Sequence, residues 1–170
     1  ISWREKKPEE KTAAIVDAMN KMGYDCANIG LTEANCGEPC LDRYIGTAQF
    51  PVISASGDEN NGLSCPRFHV VKVQGLTVAL IGLLDPKGLP EGSGKHWKTM
   101  GQALRDTLRK VDGDADLVVL LADGEYDDVV NAVSTIQGID LVILGSGRNI
   151  REVNGVVFSA RSMVGSLIAL

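Results

Sequence analysis

Leu117-Val118-Val119-Leu120-Leu121 and Leu141-Val142-Ile143-Leu144, with a helical pattern over residues 126–136 between them, decide the fold class of this chain. Both runs are apolar at every position, so each belongs to a strand covered on both faces, and neither can lie on a wetted sheet surface. Buried strand, helix, buried strand is the signature of a parallel βαβ unit. The reading is therefore α/β.

Working toward the N-terminus, residues 97–111 carry Met100, Leu104, Leu108 and Val111 on one helical face. Gly88, Pro90, Gly92 and Gly94 mark the loop before it. Phe68, Val71 and Val73 lead into Gln74-Gly75 and then into residues 78–84, which read as a hairpin whose second arm is central in the sheet. Residues 57–66 form a polar loop, and residues 50–55 and 26–30 read as two more strands, with an irregular or partly helical stretch between them. The first element is a helix opened by Pro8, Glu9 and Glu10. Its apolar positions are Ile15, Val16, Met19 and Met22, and Lys21 and Gly23 close it. Toward the C-terminus, residues 151–153, Asn154-Gly155 and residues 156–160 read as a tight hairpin, and residues 167–170 add a strand.

At 170 residues the chain holds one domain, 1–170, with a sizeable core. Charged residues at 23% and apolar residues at 44% exclude a disordered chain. The net charge of −5 comes without a basic stripe, so nothing attracts a phosphate backbone and no nucleic-acid partner is expected. No apolar run approaches the roughly 18 to 20 residues of a membrane span. The chain starts at Ile1 without a leader pattern, and we expect a fragment of a longer, exported protein in the periplasm or outside the cell.

A run of landmarks in a fixed order resembles the 5′-nucleotidase or UDP-sugar hydrolase branch of the calcineurin-like metallophosphoesterases. Residues 18–25, AMNKMGYD, resemble its "MNxxGYD" helix end, and residues 50–55, FPVISA, its "FPxLSAN" strand. Residues 75–83 resemble "GxKVGxIGL", and residues 116–121 and 138–145 resemble the "ADxxIxLxH" and "GIDxIIxGH" segments. The resemblance implies a layered β-sandwich flanked by helices, incomplete at the N-terminus, where the family's aspartate motifs would precede Ile1.

In that family two divalent metals about 3.5–4 Å apart polarise a phosphate and supply a hydroxide, so the strand ends carry His, Asp and Asn ligands. The motif positions here have lost them. Against the family's GNHE stand Gly30, Leu31, Thr32 and Glu33, with Leu31 at the metal-bridging Asn and Thr32 at the His that assists the leaving group. Asp123 replaces the His of the second motif, and Ser146 and Arg148 replace both histidines of the third. His69 and His96 fall on no motif position, and a lone His does not make a metal site. Asp123, Glu33 and Glu125 have the chemistry for a hard cation, but a solvated acidic loop is the simpler reading. An ion pair between Asp123 and Arg148 in the place of a metal is a further expectation. No catalytic residue, metal or cofactor is assigned.

The four cysteines, Cys26, Cys36, Cys40 and Cys65, form an even, clustered set that favours disulfides in an exported protein, and three pairings are open. Cys36 with Cys40, and Cys26 with Cys65, is the pairing we expect. The two alternatives are a four-thiolate zinc site and a dithiol at Cys36 and Cys40, although that spacing is not the thioredoxin type. The expected function is a catalytically degenerate metallophosphoesterase-like domain. It would act as a structural or ligand-binding module, with a small-molecule ligand or other domains of the same polypeptide as partners. A metal-dependent phosphoester or nucleotide hydrolase with unusual ligands, and a thiol/disulfide redox accessory domain, are the other two readings.

Overall fold

The structure is a computed structural model that describes residues 8–57, 63, 65–90, 97–111, 113, 115–145, 150–153 and 156–160. The chain opens with α1 (Pro8–Met22), which stops at Gly23 with φ of +69°, the left-handed geometry that ends many helices. β1 (Ala27–Asn28), α2 (Leu31–Asn35), α3 (Glu38–Thr47) and β2 (Val52–Ile53) follow. The stretch expected to be partly helical is thus two helices, separated by Gly37 at φ +85°. α3 starts with Pro39 in its first turn, where a missing N–H is no loss.

β3 (Phe68–Val73) and β4 (Leu76–Leu84) pair antiparallel, from Val73 opposite Leu76 to Phe68 opposite Ile81. Gln74 and Gly75, at φ +51° and +90°, give the joining turn two left-handed residues, and its twist matches that of the strands. A 3₁₀ turn (Pro86–Gly88) leads on to α4 (Met100–Leu108), β5 (Leu117–Asp123), α5 (Tyr126–Val133), β6 (Leu141–Leu144), β7 (Ile150–Val153) and β8 (Val156–Ala160). The six-stranded sheet runs β3-β4-β5-β6-β8-β7. β4, β5, β6 and β8 are parallel, and an antiparallel strand lies at each edge. The expected βαβ unit and both hairpins are present; the strand expected over residues 167–170 lies outside the described residues.

Strand side chains alternate between faces, and the alternation separates two cores. Ile81, Leu83, Leu120, Ala122, Val142 and Leu144 face α4 and α5, where Leu104 and Val129 are fully buried. Val78, Leu80 and Val119 face the other way, toward Ile53. β1 and β2 pair parallel as a second, two-stranded layer. Ile53 points from that layer at the large sheet, while Val52 points away and packs with Ile29, Val16, Leu41, Tyr44 and Phe50. The order of layers is helices α4 and α5, large sheet, small sheet, helices α1 and α3, which is the flanked sandwich expected from the sequence.

The parallel register brings one set of strand ends together. Leu84 lies opposite Asp123, and Ala122 lies opposite Leu144. Beside them, Ile29 of the small sheet donates to the Ile53 carbonyl at 3.1 Å and delivers the chain to Gly30. Open α/β sheets bind ligands at such carboxyl ends.

Candidate functional site

Gly30 is the N-cap of α2 and starts a turn whose first N–H groups have no partner within the helix. Two carboxylates take them. Glu33 Oε2 accepts from the Gly30 N–H at 3.1 Å, and Asp123 Oδ2, from the end of β5, accepts from the Leu31 N–H at 2.7 Å. Glycine at position 30 lets both carboxylates come close to the backbone. A Cβ there would stand 2.6 Å from Asp123 Oδ2 and 3.0 Å from Glu33 Oε2. Gly145, at the start of the third motif, lies on the far side of the same carboxylate, its would-be Cβ 3.6 Å from Asp123 Oδ1. The structure therefore unites Gly30, Leu31, Glu33, Asp123 and Gly145, which lie far apart in the chain.

The Leu31 side chain leans on the 3₁₀ turn, with its methyl groups 2.7 and 2.8 Å from where a Cβ on Gly88 would be. Thr32 is exposed. Glu125 is the N-cap residue of α5 and is also exposed. The reading of Asp123 and Glu33 as a solvated acidic loop is corrected: both are half-buried and bonded to backbone. Ser146, Arg148 and His96 lie outside the described residues, and with them the expected ion pair to Asp123. His69 sits on β3 opposite Leu80, away from the strand ends.

Three polar residues at this end were not singled out from the sequence. Asn28 donates through Nδ2 to the Leu83 carbonyl at 2.9 Å, while its buried Oδ1 has no partner among the described residues. Ser56 is fully buried, and its hydroxyl both donates to the Leu84 carbonyl and accepts from the Leu84 N–H, each at 2.9 Å. It thus acts as a strand partner. Asp85 is 5% exposed and caps the 3₁₀ turn by accepting from the Lys87 N–H at 3.1 Å. Lys87 in turn pairs with Asp128 at 2.5 Å, which ties the turn to α5. The available signal was a polar residue inside an apolar run for Asn28 and an Asp-Pro turn start for Asp85.

The two metals implied by the resemblance do not fit these positions. Leucine offers no donor atom, and the Asp123 and Glu33 oxygens nearest to it are held by α2. Among the described residues no group of three or more His, Cys, Asp or Glu is placed to hold an ion.

Cys36 and Cys40 are joined by a disulfide, with Cα atoms 5.7 Å apart. The expected bridge between Cys26 and Cys65 is not formed: both are thiols. The reason is their packing. Cys26 lies against the core between the two sheets, and Cys65 lies against the core under α1 and α3. Burial, helped by the charge of Asp25, pushes the Cys26 thiol up to about 11 from 9.0. Burial and then the charge of Glu33 raise the Tyr44 phenol as well. Both are acids with a folded pKa above the unfolded one, so folding favours their protonated forms. For Cys26 that contribution is complete below pH 9.0 and is lost as pH rises toward about 11. Urea midpoints measured from pH 7 upward are expected to fall across that window, with a shallower fall for Cys26→Ala.

No protein-family model matches the chain. The chain is 27% identical over 168 residues to the uncharacterized metallophosphoesterase YunD of Bacillus subtilis, covering 91% of this chain and 36% of that protein. A 5′-nucleotidase precursor from Thermus thermophilus superposes with a TM-score of 0.75 at 16% identity, over 90% of this chain and 36% of the other. A putative 5′-nucleotidase from Staphylococcus aureus gives 0.73 at 19%, over 89% and 34%. The chain thus spans about a third of the length of each. The fold is that of the 5′-nucleotidase-type metallophosphoesterases, and the resemblance read from the sequence motifs is borne out. Among the described residues no helix is long and apolar enough to cross a membrane.

Proposed function

We propose, with the metallophosphoesterase fold as premise, that this chain is a non-catalytic form of that domain, a structural or ligand-binding module in a larger exported protein. One observation carries the reading: Asp123, at the position of a metal-binding His, gives its oxygen to the Leu31 N–H at 2.7 Å. A charge-assisted hydrogen bond inside the chain stands where coordination would be. Leu31 and Thr32 support the same reading, because a leucine side chain cannot ligate a metal and a threonine hydroxyl is too weak an acid to replace the imidazolium that protonates a leaving group. The strand ends keep their shape through Asn28, Ser56 and Asp85, which bond to backbone rather than point into open space. A small molecule would meet this rim, and the rest of a longer polypeptide would be the other partner.

The test is elemental analysis of protein purified without chelator, together with an assay on a generic phosphate ester with added Mn²⁺. The expected result is substoichiometric metal and no turnover above buffer. Near-stoichiometric transition metal with turnover would overturn the proposal and place the chain among the hydrolases.

A further inference from the structure

α2 has five residues, and none of them is fully buried. So short a helix gains little from its own hydrogen bonds, since nucleation consumes most of what one turn returns. Ala34 rests on the core under α1 and α3, and the two ends add the rest of its hold. At the first, Glu33 and Asp123 take the Gly30 and Leu31 N–H groups. At the second, Cys36 is the C-cap, its N–H on the Glu33 carbonyl at 3.2 Å and its sulfur bonded to Cys40.

Cys40 is set deeper in the core under α1 and α3, on whose edge Ala34 and Cys36 also rest. It lies in the first turn of α3, 5% exposed, next to Leu41 and Tyr44, which pack with Val16 and Phe50. The disulfide therefore passes the rigidity of α1 and α3 to the element that carries Leu31 and Glu33 to the strand ends. Between the two cysteines Gly37 stands at φ +85°, a left-handed geometry that glycine adopts without strain.

We infer that the disulfide between Cys36 and Cys40 is a thiol-responsive clasp on α2. Oxidised, it keeps Leu31 seated against Gly88 and on Asp123; reduced, it releases α2 and opens the strand ends to a ligand. The reductant is a dithiol. Its thiolate attacks Sγ of Cys36, the less buried of the two residues, the bond to Cys40 breaks, and Cys40 leaves as a thiolate that takes a proton from water. The reductant's second thiol then attacks the mixed disulfide, Cys36 is released as a thiol, and the reductant leaves as its own disulfide. Two electrons pass to the protein.

Amide hydrogen exchange on the full chain, before and after dithiothreitol, tests the clasp. Reduction is expected to raise the thiols alkylated after unfolding in denaturant from two to four. It should also speed exchange at Gly30 and Leu31 by about tenfold or more, with Ile81 and Leu120 in the large sheet unchanged. The variant Cys36→Ser with Cys40→Ser should exchange like the reduced protein and ignore the reductant; if it does not fold, the wild-type pair of measurements decides alone. Four alkylatable thiols in air-purified protein, or unchanged exchange at Leu31 on reduction, would overturn the clasp. The readout involves neither metal nor ester, so it stands or falls apart from the proposed function.

Discussion

Gly82→Ala is expected to cost about 3 kcal/mol or more, the upper end for overpacking a tight interior. Gly82 is the point on β4 where the two sheets meet. A Cβ there would lie 2.5 Å from Asn28 Oδ1 and 2.7 Å from the Ile53 carbonyl oxygen. The side chain could turn away, but the carbonyl cannot, because it accepts the Ile29 N–H that closes the pairing of β1 with β2. The Gly82 carbonyl itself accepts from the Ala55 N–H at 2.7 Å, so moving β4 breaks a second bond. Gly46→Ala is the control: nothing lies within 4 Å of its would-be Cβ, and alanine at this helical position is neutral or stabilising by up to about 1 kcal/mol. Denaturant midpoints followed by circular dichroism compare the two. An unchanged midpoint for Gly82→Ala would mean that the small sheet does not rest on β4 as described.

Asp123→Ala should cost about 2 kcal/mol, the range for a half-buried donor that loses a charged acceptor. Among the described residues the loss has one address, the Leu31 N–H in the first turn of α2. Asp123→Asn keeps an acceptor oxygen in nearly the same place and should cost about half as much, since the charge alone is removed. Urea melts give the two energies, and the Leu31 amide proton shift reports the bond directly. If alanine is tolerated at no cost, the carboxylate does not clamp α2, and the proposed function loses the observation that carries it.

Much of the architecture was legible from spacing alone. α1 follows its apolar stripe and its Gly23 stop, and the β3–β4 turn follows Gln74-Gly75. β1 and β2 were read too long. In a sheet of two strands the ladder ends where one chain turns off, and Gly30 turns off at once to cap α2. α2 and α3 were read only as partly helical, because Gly37 and Pro39 look like breakers until Pro39 is known to sit in a first turn. The pairing of Cys26 with Cys65 was argued from an even count, and no count can tell that the two thiols face different cores.

The sequence by itself determined the fold class and the parallel unit of β5, α5 and β6, because hydrophobic period is a local property. Only the tertiary structure decided what Asp123 and Leu31 bond to. Asp123 and Leu31 are 92 positions apart, and a hydrogen bond between them exists only because parallel pairing brings the ends of β1, β4, β5 and β6 together. The roles of Asn28, Ser56 and Asp85 have the same origin: each bonds to backbone whose nearness depends on how the layers stack.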